Sequence, residues 1–177
     1  MSPGNYGESF SLNQYEISGR YIVKISNFVG ESIDMAVESG AKGILMIGHI
    51  GKFVKLAGGI MNTHSRNADA RMELLAAHVI RCGKDAALAA RILECVTTDE
   101  ALEIIKDAGI LYQVSQSLLE KILYYANKRG YGRLETGIVL YSNEYGLLGT
   151  AGPVPELLNK VKEYMRDESS TDICRNQ

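Results

Sequence analysis

One unbroken apolar run, Gly43-Ile44-Leu45-Met46-Ile47, constrains the fold of this chain more than any other segment. A strand with one wet face alternates apolar and polar residues. A run with no polar position has to be covered on both faces, as strands of parallel sheets are. What precedes the run fits that picture. Tyr21-Ile22-Val23-Lys24-Ile25-Ser26 is β-branched and aromatic and reads as a strand. Residues from Gly30 to Ser39 carry Ile33, Ala36 and Val37 at helical spacing, and Gly40 supplies a helix stop. Strand, short helix, apolar strand predicts a βαβ unit, and therefore a parallel pair with a right-handed crossover. Ligands of such sheets bind at the carboxyl ends of the strands. The loops there are Ser26-Asn27-Phe28-Val29-Gly30 and Gly48-His49-Ile50-Gly51-Lys52.

The middle of the chain reads as helical. Met72, Leu75, Ala76 and Val79 form one apolar stripe, and Leu118, Leu119, Ile122, Leu123 and Ala126 form another. Between them Thr97-Thr98-Asp99-Glu100 is a capping box that starts a helix running to about Ala108. Late in the chain, Thr136 to Ser142 reads as a strand and Gly149-Thr150-Ala151-Gly152-Pro153 as a loop, with Pro153 or Pro155 in the first turn of a last helix. The expectation is an α/β fold: a parallel-sheet, Rossmann-like core with a helical C-terminal half, forming a single domain over residues 1–167. The polar stretch 168–177 is expected to be a flexible tail. A length of 177 residues suits one well-buried domain rather than two.

Charge and composition exclude some functions. A net charge of −2 argues against a general nucleic-acid binder, which needs a basic excess. No apolar run is long enough to span a bilayer, and Met1-Ser2-Pro3-Gly4-Asn5 lacks the regions of a signal peptide. Cys82, Cys95 and Cys174 form no close pair, which suits free thiols in a reducing cytoplasm.

Chemistry concentrates between Gly48 and Arg71, where two His, two Lys, two Arg and four Gly fall together. Lys52 and Lys55 are three apart and share a face if helical. Arg66 and Arg71 flank a polar run that holds Asn62, Thr63, Ser65 and Asp69. Such a set suits a ligand with several carboxylates, because Arg binds them bidentately and Lys supplies a point charge. On composition alone, a solvated basic face beside a glycine-hinged loop explains the same residues at least as well. His49 and His64 are not spaced as a helical metal-ligand pair, and no metal site is expected. Turn-rich Ser2-Pro3-Gly4-Asn5-Tyr6-Gly7 opens the chain as a second glycine loop. Such loops usually follow a strand, so the strand leading into this one is expected to precede the chain.

Taken together, Pro3-Gly4-Asn5-Tyr6-Gly7, Ser26-Asn27-Phe28-Val29-Gly30 and the run from Gly48 to Arg71 resemble the CbiD-type cobalt-precorrin-5B C(1)-methyltransferases. The most specific part is Gly-His-Ile-Gly-Lys, then Lys-Leu-Ala-Gly-Gly, then Asn-Thr-His-Ser-Arg with Ala-Asp-Ala-Arg beyond. The likeness covers residues 3–71, with the chain corresponding to the C-terminal portion of a longer protein. It implies transfer of a methyl group from S-adenosylmethionine to C-1 of cobalt-precorrin-5B, giving cobalt-precorrin-6A. Cobalt then enters only as part of the tetrapyrrole substrate. On this resemblance Lys52, Lys55, Asn62, Thr63, Ser65, Arg66, Asp69 and Arg71 bind substrate, and His49 or His64 accepts a proton or orients a group. Gly4, Asn5, Tyr6, Gly7, Ser26, Asn27, Gly30 and Gly48 bind the methyl donor. The alternative is a non-catalytic nucleoside- or tetrapyrrole-binding fragment that needs the front half. Expected partners are the tetrapyrrole and either a second copy or that front half, with neither nucleic acid nor membrane.

Overall fold

The structure is a computed structural model. It describes residues 1–175, save for the side chains of Asn5, Tyr6 and residues 168–175. Helices α1 (Asn5–Tyr15) and α2 (Val29–Glu38) lead to strand β1 (Gly43–His49). A short α3 (Ile50–Phe53) and a 3-10 turn over Val54–Gly58 follow. Four helices come next: α4 (Arg71–Arg81), α5 (Ala86–Leu93), α6 (Thr98–Asp107) and α7 (Leu111–Arg129). Strands β2 (Glu135–Ser142) and β3 (Gly146–Ala151) and helix α8 (Val154–Arg175) complete the order.

Among the described residues the sheet has three strands in the order β1-β2-β3, and it is mixed. β1 runs parallel to β2, with Gly43 opposite Glu135 and His49 opposite Tyr141. β3 returns antiparallel to β2, with an irregularity at Leu140/Tyr141. The unbroken apolar run behaves as its composition requires. Ile44 and Met46 join Ile138 and Leu140 in a large core shared with α2, α4 and α7. Leu45 and Ile47 join Val139 and Tyr141 in a second core, which Val154 and Leu157 of α8 and Phe10 of α1 complete. β1 is therefore covered on both faces.

Several expected elements are present. α2 ends at a Gly40 with φ 73°, whose N–H reaches the Val37 carbonyl. The Thr97 side chain caps α6 by accepting from the Glu100 N–H at 3.2 Å, and Glu100 reaches back to the Val96 N–H. The stripes of α4 and α7 lie in the core.

Other expectations need correction. Residues 21–26 do not form a strand. Gly19–Tyr21 is a 3-10 turn, and beyond it an isolated parallel bridge joins Lys24 to Ser2. Among the described residues its ladder bonds go to Ser2 alone, which lies between it and β1, and one bridge does not make a strand. The fold is α/β as expected, but its sheet is mixed, with one parallel and one antiparallel pair rather than the parallel, Rossmann-like core expected. Asn5 to Gly7 is not loop but the first turn of α1. The stretch from Gly149 to Ala151, expected as loop, is the end of β3. The backbone of the tail expected from 168 is helical as far as Arg175. Its side chains, and residues 176–177 altogether, lie outside the described residues.

Two outcomes follow from the packing. Gly48 lies against the fully buried Phe53 ring, and a Cβ there would fall 2.2 Å from a ring carbon. Gly48→Ala is expected to cost about 1–3 kcal/mol in a urea titration, through overpacking. His78 is 3% exposed between α4 and α7, with Nδ1 2.7 Å from the Ser117 hydroxyl. Burial, aided by Arg81 and Lys121, pushes its pKa down from 6.5 to about 4. Between those values the unfolded chain holds a proton that the folded chain rejects, so stability falls as pH drops from 6.5 to 4. The contribution is roughly 3 kcal/mol. It should appear as a shallower acid slope in His78→Gln than in the parent chain.

Candidate functional site

The carboxyl end of β1 gathers three segments that each pass from extended backbone into a helix. Met1–Ser2 turns at Gly4 into α1, residues 22–25 turn through Ser26–Phe28 into α2, and β1 turns at His49 into α3. Gly4 has φ 92° and Ser26 φ 49°, both left-handed. Only a glycine takes up such a conformation without steric cost; at Ser26 it marks a tight turn.

Behind this edge the polypeptide from residue 60 to 69 folds back over the 26–30 loop. The Gly30 N–H donates to the Met61 carbonyl at 3.0 Å, and the Thr63 N–H to the Asn27 carbonyl at 2.9 Å. The approach is close enough that a Cβ on Gly30 would meet the Met61 Cβ at 2.8 Å. The Thr63 hydroxyl bonds Asn27 Oδ1 at 3.3 Å.

Lys55 fastens this loop. It is 2% exposed, and its ammonium donates to the Thr63 carbonyl at 3.1 Å and the Ala68 carbonyl at 2.7 Å. Asp69 Oδ1 stands 3.9 Å away. Burial pushes the Lys55 pKa down; Asp69 opposes this and Arg71 adds to it. Asp69 takes Arg71 in a two-point pair, Nε to Oδ1 at 2.5 Å and Nη2 to Oδ2 at 2.9 Å. That hydrogen-bonded guanidinium holds the Asp69 carboxyl below its ordinary range.

Asn27, Gly51, Lys52, Lys55, Thr63, His64, Ser65 and Arg71 line one cleft of about 310 Å³. The Lys52 ammonium lies 3.9 Å from where a Cβ on Gly4 would stand, so the first loop reaches the same rim. Burial, then the nearby Lys55 charge, lowers the Lys52 pKa. Three cations against the single carboxylate of Asp69 leave the cleft a formal +2.

The two histidines are placed differently. His64 is exposed at the cleft, in a turn where its Nδ1 accepts from the Arg66 N–H at 3.0 Å. Its own N–H donates to Asn62 Oδ1. With Nδ1 accepting, the neutral ring carries its proton on Nε2. His49 does not line the cleft: it is the N-cap of α3, its Nδ1 accepting from the Gly51 N–H at 3.1 Å. The ring packs edge-on against Tyr141, and burial depresses its pKa, with Asp99 opposing. The Asn143 N–H also faces Nε2 at 3.3 Å. A neutral imidazole accepts at one nitrogen only, so we assign acceptance to the shorter Gly51 contact.

Of the residues singled out in the sequence, the structure brings Lys52, Lys55, Thr63, Ser65, Asn27 and Arg71 together, with His64. Arg66 is exposed and does not line the cleft; Asn62 and Asp69 support it from behind. Gly48, Gly30 and Gly7 are packing glycines: Cβ atoms there would strike Phe53, Met61 and Ser2. The side chains of Asn5 and Tyr6 lie outside the described residues. Gly51 joins the cleft as a residue not singled out before, and Ala68 enters through its carbonyl alone. Among the described residues no group of three His, Cys, Asp or Glu could hold a metal ion. No helix there is long and apolar enough to cross a membrane.

Residues 62–152 match the family model described as CbiD, C-terminal domain. The cobalt-precorrin-5B C(1)-methyltransferase of Alkaliphilus metalliredigens is 41% identical over 167 residues, covering 94% of this chain and 44% of the relative. That of Ruminiclostridium cellulolyticum is 42% identical over 143 residues, covering 81% and 37%. That of Clostridioides difficile is 37% identical over 161 residues, covering 89% and 39%. The chain spans less than half the length of these relatives. No solved structure matches it.

Removing the fastener tests this description. Lys55→Met leaves the Thr63 and Ala68 carbonyls without their charged donor. It is expected to destabilise the chain by about 1.5–3 kcal/mol in a denaturant titration. Amide exchange should quicken in the 60–69 loop before it does in β1.

Proposed function

This chain belongs to the CbiD family through its C-terminal domain, and from that premise we propose that it supplies the substrate-carboxylate site of a cobalt-precorrin-5B C(1)-methyltransferase. The reaction on this reading moves a methyl group from S-adenosylmethionine to ring carbon C-1 and yields cobalt-precorrin-6A. One observation carries the assignment: three cations ring a cleft at the carboxyl end of β1, held by a loop that a buried lysine fastens.

The residues divide into those that touch ligand and those that keep the cleft in shape. Lys52 and Arg71 are the groups proposed for the acetate and propionate side chains of the macrocycle. Arg71 keeps Nη1 for ligand while Asp69 holds Nε and Nη2. The Ser65 hydroxyl and the His64 ring, whose Nδ1 is engaged by the Arg66 N–H, add hydrogen-bonding groups at the rim. Lys55 spends two of its three protons on carbonyls, so its direct contribution to ligand is field rather than contact. Transfer to an electron-rich ring carbon needs alignment more than a strong base. Neither histidine is set up as a base: His64 offers a donor, and His49 caps a helix.

When bound, the donor supplies an electrophilic methyl on a sulfonium. The residues that fit it are the Gly4 turn and Ser26–Asn27, where left-handed backbone lets a ligand approach the chain. The formal +2 of the cleft repels a sulfonium and attracts a polycarboxylate, which separates the two ligands in space. The compartment we propose is the cytoplasm, where the unpaired thiols of Cys82 and Cys95 persist.

Paired titrations test the division. Lys52→Ala is expected to weaken binding of a tetrapyrrole polycarboxylate by about 1–3 kcal/mol, less at high salt, and to leave S-adenosylmethionine binding nearly unchanged. Arg66→Ala, outside the cleft, should cost less for either ligand. Equal losses for both ligands in Lys52→Ala would remove the carboxylate assignment.

A further inference from the structure

Met1 takes the place of a strand residue. Its ammonium donates to the Leu45 carbonyl at 2.7 Å, and its carbonyl accepts from the Ile47 N–H at 3.1 Å. This is the pair of bonds that one residue makes in a parallel ladder, centred on Met46. On the other side the Ser2 N–H donates to the Val23 carbonyl and the Ser2 carbonyl accepts from the Ile25 N–H, each at 3.0 Å. The same ladder pattern holds there, centred on Lys24. Met1–Ser2 thus sits between two extended segments, parallel to both.

Behind Met1 the two segments stay apart, and an apolar cleft opens between them. On the α2 side it holds about 420 Å³, with Ile22, Val23, Met35, Ile44 and Leu45 among its lining. A second lobe toward α8 is lined by the same Ile22, Val23 and Leu45, with Leu157 and Val161. Val23 is 61% exposed and Met35 68%, unusual for large apolar side chains beside a sheet edge. In a parallel strand the residues facing one neighbour alternate with those facing the other. The next pair along β1, the Leu45 N–H and the Gly43 carbonyl, therefore faces the cleft. So does the Val23 N–H across from it. A buried ammonium is also a poor occupant of a peptide N–H position: burial pushes its pKa from 8.0 to about 6.

We propose that this cleft seats an apolar β-strand, parallel to β1 and ending at Met1–Ser2, supplied by the part of the longer family proteins that this chain does not span. Filled, the sheet runs from residues 22–25 through the added strand to β1, β2 and β3, four segments parallel and the last antiparallel. The strand alternates side chains into the two lobes, and its backbone pairs the groups that Met1 leaves open. The inference goes beyond the methyltransferase reading and stands whether or not the chain transfers methyl groups.

Amide exchange decides it. The chain is measured alone, mixed with the separate N-terminal portion of the Alkaliphilus metalliredigens relative, and fused to that portion at Met1. Mixing or fusion should slow exchange at Leu45 and Val23 at least about 100-fold, as expected for amides newly buried in a ladder. Val23→Asp, at an exposed position, should leave the unfolding midpoint of the isolated chain unchanged. It should weaken capture of the front portion at least about tenfold, since it buries a carboxylate in an apolar seat. Unchanged exchange at Leu45 in the fused protein would overturn the proposal, as would capture insensitive to Val23→Asp. Protection that instead rises with concentration of the chain alone would assign the cleft to a second copy and overturn it equally.

Discussion

Everything in this molecule is arranged around the need to cover β1. A strand with no polar face gains nothing from solvent on either side, and each of Ile44, Leu45, Met46 and Ile47 is worth about 1.5–3 kcal/mol when fully buried. The α2, α4 and α7 layer answers one face and α1 with α8 the other. Parallel pairing with β2 then sets where the strand ends. That end becomes the site, because three turns and the starts of three helices arrive there together.

The electrostatics of the site depend on a second constraint. An ammonium deep in protein is costly unless its protons find oxygens. Lys55 finds two carbonyls, both from the loop that folds over it. The loop is held by the charge, and the charge is tolerated because of the loop. Asp69 then serves two cations, pairing with Arg71 and lying near Lys55. Without it the cleft would carry three positive charges in a small volume and repel itself. With it the field still favours an anionic ligand.

Much of this was legible in the sequence, for local reasons. The run from Gly43 to Ile47 announced a strand covered on both faces, and Thr97 with Glu100 announced a helix start by a cap. The clustering of Lys52, Lys55 and Arg71 also marked the cleft. What could not be read depended on distant partners. Residues 21–26 have strand composition, but among the described residues they pair with Ser2 alone. α1 carries Gly7, Ser9 and Ser11 inside it and no regular apolar stripe, so it is a helix by virtue of its place against the sheet. β3, with Gly146 and Gly149, is a strand because β2 offers it an edge. Within the cleft, residue types were legible and roles were not. Lys55 and Lys52 look alike in sequence; the 60–69 loop makes one a fastener and leaves the other at the rim. That His49 caps a helix could not be read either, since only the turn into α3 places the Gly51 N–H on its ring.

The stack of Phe10 on Tyr141, with centroids 4.1 Å apart and planes 12° from parallel, also makes the sheet optically visible. The chain has no tryptophan and ten tyrosines. Tyr141 is 2% exposed, and burial pushes its phenol pKa to about 12. A fixed, asymmetric ring pair gives near-ultraviolet circular dichroism that mobile surface tyrosines do not. Burial keeps this phenol protonated further into alkali than its ordinary value of 10.0 would. The ring that joins α1 to β2 is thus a built-in spectroscopic reporter, silent to events in the helical layer and sensitive to any that lift α1 from the sheet.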